Sequence, residues 1–154
     1  MRKRTRAREI ALMMLTQAEL RGQEAIDEFE QVLQAVPAEE PEDDDEREMQ
    51  DLRESFSKPE IRDFARSLVR GCLDNRPEVD AIISAAAQNW QLSRMAIVDR
   101  NILRMAVYEM LHADDIPAKV SINEAIEMGK RYSTQQSGSF INGILDRIRR
   151  ERQL

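Results

Sequence analysis

A single cysteine, Cys72, stands among 154 residues, so no disulfide can form within the chain. It falls on an apolar helical stripe and reads as a small core residue. Histidine is equally scarce: His112 is alone, with no partners at ligand spacing, so no zinc site is expected. Its place at the end of a helical segment suits a structural role. Aromatic residues make up 5%, too few to reveal a base-stacking surface. No apolar run approaches the roughly 20 residues that span a bilayer. The charged N-terminus lacks the apolar core of a secretory signal, and a soluble, cytoplasmic protein is expected. The phosphate loop G-x-x-x-x-G-K-[ST], the G-x-G-x-x-G turn and the G-x-S-x-G elbow are all missing. With one imidazole and a core thiol there is no pair for nucleophilic catalysis. Acids are abundant, but nothing marks two of them as a catalytic pair. Neither an enzyme nor a cofactor is expected.

What is there is helical periodicity. Ala7, Ile10, Ala11, Met14, Leu15 and Ala18 recur at i, i+3, i+4, i+7, and Gly22 closes that segment. A second helix is predicted over 24–36, with Ile26, Phe29, Val32 and Leu33 inward. A third starts at Ser57-Lys58-Pro59-Glu60, which has capping-box spacing. It carries Ile61, Phe64, Ala65, Leu68, Val69, Cys72 and Leu73. Asn75 and Pro77 open a fourth, with Val79, Ile82, Ile83, Ala86, Ala87 and Trp90 on its stripe. Residues 95–112 are apolar over more than half the circumference, as in a central helix. Ser121 and Glu124 repeat the capping spacing for the next helix. Residues 133–139, S-T-Q-Q-S-G-S, read as a loop before a last helix with Ile141, Ile144, Leu145 and Ile148 inward. No alternating strand pattern occurs. The expectation is all-α: a compact bundle of about seven helices in two small subdomains, 1–75 and 76–154.

Charge is unevenly spread. The net is -6, yet residues 39–48, E-E-P-E-D-D-D-E-R-E, alone carry -7, and without them the chain would stand at +1. Repulsion, with Pro37 before the window and Pro41 within it, predicts a flexible acidic loop at about 37–50. The contiguous acids lack the alternating ligands and glycine of a calcium-binding loop. The opposite extreme is the start: Arg2, Lys3, Arg4, Arg6 and Arg8 put five cations in eight residues. Cations at a helix start oppose the macrodipole, so stability does not explain them. Arginine suits phosphate and unpaired bases, and the five are candidate RNA-binding residues. On the helical wheel Arg6 and Arg8 lie about 100° either side of Ala7, which predicts both heads in water. The acidic window could cover the arm when no nucleic acid is bound. A mere solubilising tail on a helical protein–protein interaction module, or on a homodimer, is the alternative.

Three stretches in order then carry a resemblance: Arg4-Thr5-Arg6-Ala7-Arg8-Glu9-Ile10-Ala11; V-D-R-N-I-L-R-M-A-V-Y-E-M and I-P-A-K-V-S-I-N-E-A-I-E-M-G-K-R-Y; and S-F-I-N-G-I-L-D. Together they resemble the NusB family of bacterial transcription antitermination factors. The resemblance implies an all-helical fold and binding to boxA RNA of ribosomal RNA leader transcripts. It implies a heterodimer with NusE, a small-subunit ribosomal protein, within an RNA polymerase antitermination complex. Arg4, Arg6 and Arg8 match the family's arginine motif; Arg2 and Lys3 extend it by charge. Asp99, Gln136, Ser139 and Phe140 fall on the implied partner surface, Gln136 where the family carries an acid. Periodicity separately places Phe140 at the edge of the last helix's stripe. The fold also resembles the N-terminal module of certain ribosomal RNA cytosine methyltransferases; an end at Leu154 favours a free-standing factor.

Overall fold

A computed structural model of the chain describes residues 2–36 and 40–154. Among these residues there are eight α-helices, one 3-10 turn and no strand, one helix more than the periodicity suggested. By its contacts the chain divides into two units, Met1–Ser67 and Leu68–Leu154. The division falls inside a continuous helix rather than after residue 75.

In the first unit, α1 (Lys3–Arg21) buries Ala7, Ile10, Ala11, Met14 and Leu15. It ends at Gly22, whose φ of 94° favours glycine and whose N–H donates to the Ala18 carbonyl at 2.7 Å. α2 (Glu24–Gln34) turns Ala25, Phe29 and Leu33 inward and leaves Val32 43% exposed. Its stripe thus runs through Ala25 rather than through Val32. α1 packs on α2 and on α3 (Asp44–Phe56), where Leu52 and Phe56 complete the core.

α3 corrects the expectation of a flexible acidic loop at 37–50. Pro37, Ala38 and Glu39 lie outside the described residues, but from Asp44 onward the segment is helix. Asp43 caps it, accepting from the Glu46 N–H at 2.8 Å, while Glu46 reaches back to accept from the Glu42 N–H at 2.6 Å. Asp44, Asp45 and Glu46 occupy the first turn, where the macrodipole favours negative charge. The same acids that repel one another as a coil are stabilising at a helix start.

α4 (Pro59–Asp74) begins at the expected proline, but without the capping box. The Ser57 hydroxyl donates backward to the Glu54 carbonyl at 2.6 Å, closing α3, and Glu60 is engaged by Lys3. Ile61 and Ala65 are buried in the first unit; Leu68, Val69 and Cys72 are buried in the second.

The second unit is built on α6 (Ile97–His112), which packs against α5 (Arg76–Ala86), α7 (Ala118–Tyr132) and α8 (Gln135–Arg152). Residues 101–107 of α6 are all buried, as a central helix requires. That includes Arg104, whose Nε donates to Asp80 at 2.8 Å and whose Nη1 donates to Asn101 at 3.2 Å. A buried guanidinium is tolerated only with such partners. Gly71 is needed for close approach: a Cβ there would meet the Tyr108 ring at 2.0 Å.

Two other expected caps also fail, each because its side chain serves a different partner. Asn75 turns its amide back to the Gly71 carbonyl at 2.8 Å instead of capping α5. Ser121 lies inside α7, which starts after Pro117; it is buried and donates to Glu109 at 3.0 Å. The expected loop at 133–139 is mostly helix. α8 starts at Gln135, capped by a reciprocal box between Thr134 and Ser137.

Candidate nucleic-acid and partner interfaces

The arginine arm is the first two turns of α1. Arg2 is its N-cap, and the first turn holds no acid. Arg2, Lys3 and Arg4 are exposed, Arg6 is half-buried, and Arg8 is 2% exposed. The expectation that Arg8 keeps its head in water is therefore overturned. A helical wheel sees only local neighbours, whereas the cover comes from α4. The Arg8 guanidinium carbon lies 5.3 Å from the centroid of the Phe64 ring, and that of Arg4 lies 4.7 Å from the same centroid. Cation–π attraction of this kind is worth about 0.5–2 kcal/mol, more as water is excluded.

The arm is also tied by charge. Lys3 Nζ forms an ion pair with Glu60 Oε2, one turn before Phe64 on α4. The Lys3 hydrogen bond and charge hold the Glu60 carboxyl below its ordinary range. Arg6 Nη1 lies 3.4 Å from Oε1 of the buried Glu9. Glu60 and Glu9 both lie outside the acidic window, and within that window Arg47 pairs with Asp44 at 2.9 Å.

The second site forms around the start of α8. The Ser137 hydroxyl, buried, donates to Asp99 Oδ2 at 3.1 Å and lies 3.0 Å from the Thr134 hydroxyl. Asp99 sits in the first turn of α6 and is 8% exposed. Its Oδ1 has no hydrogen-bond partner among the described residues. Asp99, Gln136 and Phe140 line a cavity of about 240 Å³ together with Trp90 and Met95. Ser139 is exposed on α8 beside Phe140 and outside that lining. Trp90 was expected on the buried stripe of α5. It lies beyond the end of that helix, 55% exposed, and meets Phe140 edge-on at 5.6 Å and 77°. Sequence reasoning missed it because the stripe was extended past Ala87, where the helix stops.

The NusB family model matches residues 5–150. The chain belongs to the NusB family. The transcription antitermination protein NusB of Anaeromyxobacter dehalogenans (strain 2CP-1) is 43% identical over 149 residues, covering 95% of this chain and 89% of the relative. That of Desulforapulum autotrophicum is 57% identical over 89 residues, 58% of this chain and 62% of the relative, so this match spans just under two-thirds of that relative's length. The structure of T. maritima NusB superposes with a TM-score of 0.71 at 38% identity, covering 96% of this chain and 91% of that one. A structure of NusB and NusE in complex with dsRNA shares the fold, with a TM-score of 0.69 at 24% identity and 98% coverage of both chains. The match takes in Arg6 and Arg8 of the arm but begins after Arg2, Lys3 and Arg4, and it covers α6, α7 and α8 as far as residue 150.

Proposed function

We propose that this chain is an RNA-binding transcription antitermination factor that acts in the cytoplasm with NusE and RNA polymerase on boxA-type RNA. Membership of the NusB family supports the activity. The observation that carries the RNA assignment is the run of exposed cations, Arg2, Lys3 and Arg4, on a helix start without an acid. Such a start has the positive end of the helix dipole and positive side chains together, which suits phosphate. Arg6 adds a half-buried guanidinium. Arg8, buried against Phe64, contributes by holding the motif in shape.

NusE docks on the second interface. Asp99 Oδ1 accepts a hydrogen bond from the partner, Phe140 and Trp90 supply apolar contact, and Gln136 and Ser139 supply neutral polar contacts at the rim. Gln136 in place of an acid makes this contact less salt-dependent than an ion pair there would be.

The test is a titration of the full chain with NusE, using a boxA-type RNA and a scrambled RNA of the same length. Tight binding of the first alone is expected. Equal, weak binding of both overturns the reading and leaves a helical protein-binding module or homodimer. Phe140→Ala should weaken NusE binding more than it weakens RNA binding; the reverse order contradicts the placement of the partner surface.

A further inference from the structure

We propose that Phe64 and Arg4 together form a stacking site for one unpaired base of the bound RNA, with Phe64 as the positioning residue. This rests on the arm being the RNA-binding element and adds to it a means of distinguishing unpaired bases from bare phosphate.

Two guanidinium groups share one ring. Arg8 approaches the ring from a buried position and Arg4 from an exposed one. Phe64 itself is half-buried, so it is neither a core residue nor a loose surface group. Glu60, one turn earlier on α4, fixes Lys3. The first turn of α1 therefore meets α4 at two positions one turn apart, Lys3 at Glu60 and Arg4 at Phe64. A planar guanidinium stacked on an aromatic ring has a second face, and its N–H donors lie in its own plane. That face accepts a nucleobase, giving a ring–guanidinium–base stack, while the in-plane donors reach the neighbouring phosphate. A lysine at position 4 would supply the same charge and no flat face. Of the four phenylalanines in the chain, Phe64 carries both arginines, which gives an aromatic-poor protein one platform placed beside its cations.

The experiment measures affinity of the full chain with NusE for a single-stranded boxA-type RNA and for copies in which one nucleotide at a time is abasic. Wild type should lose about fivefold or more at one position, the stacked base. Phe64→Leu keeps the apolar bulk but not the ring, and Arg4→Lys keeps the charge but not the plane. Both should bind the intact RNA more weakly and show no further loss at that abasic position. Phe64→Tyr should restore the abasic penalty. Arg4 is exposed, so Arg4→Lys remains folded whatever Phe64→Leu does to stability. An unchanged abasic penalty in Arg4→Lys or in folded Phe64→Leu overturns the stacking site while leaving RNA binding by the arm intact. Failure of wild type to prefer the boxA-type RNA over a scrambled one overturns the arm's role and this site with it.

Discussion

Arg8 and Arg4 are one helical turn apart, look alike in the sequence and live in different environments. Burying a guanidinium is tolerable when an aromatic face and neighbouring acceptors compensate it, and removing it leaves a void under the helix start. Arg8→Ala is expected to cost about 1–3 kcal/mol, a fall in melting temperature of roughly 3–10 °C. Arg4→Ala, at an exposed position, is expected to cost less than about 1 kcal/mol. Thermal unfolding followed by circular dichroism separates them; equal melting temperatures would contradict the buried placement of Arg8. Cys72 offers a second contrast. Burial pushes its thiol up to about 12, with Glu109 adding to the effect. The thiolate is the reactive form, so at pH 8 the native protein should resist iodoacetamide. Modification should appear only where denaturant unfolds the chain, and native-state labelling at the rate of a free thiol would refute the burial.

At the scale of elements, most apolar stripes were legible, as were the end of α1 at Gly22 and the start of α4 at Pro59, but the side-chain caps were not. Ile141, Ile144, Leu145 and Ile148 are all buried as their spacing requires. Capping residues misled because a Ser or Asn can turn its side chain either way. Ser57 closes the helix before it, Asn75 turns back to Gly71, and Ser121 serves Glu109. The true box at Thr134 and Ser137 was hidden in a polar run whose composition resembles a loop. The acidic stretch reads as a coil for a different reason: repulsion between its charges is visible in the sequence, and the dipole of the helix it opens is not. Asp43→Ala should therefore destabilise the protein by about 1 kcal/mol, or roughly 2–4 °C in melting temperature. Glu42→Ala offers no side-chain cap and should be nearly silent. A silent Asp43→Ala would mean that α3 begins later than Asp44.

On the scale of the whole molecule, the net charge of -6 is a poor guide to what the surface binds. Its negative excess is concentrated in residues 39–48, and the arm presents its cations separately. Four of the five arm cations, Arg2, Lys3, Arg4 and Arg6, have some exposure, and Arg8 has almost none. Affinity for single-stranded RNA should then fall with salt with a log–log slope of about -3 rather than the steeper value that five phosphate contacts give. Measuring the constant at several potassium chloride concentrations checks this, and Arg8→Lys should leave the slope unchanged while Arg2→Gln flattens it. The candidate sites were legible to different degrees. The arm's cations and Phe140 could be named from one dimension. Phe64 and Trp90 could not, since each matters through a neighbour some 50 residues away in sequence.

The concealment of Arg8 has a consequence for how substitutions at this position would be tolerated. A library of variants sorted only for soluble abundance in cells would already deplete changes at codon 8, before any demand for antitermination is imposed. Codon 4 would pass that sort and fail only the second, so comparing the two screens would tell apart arginines kept for folding from those kept for reading a transcript.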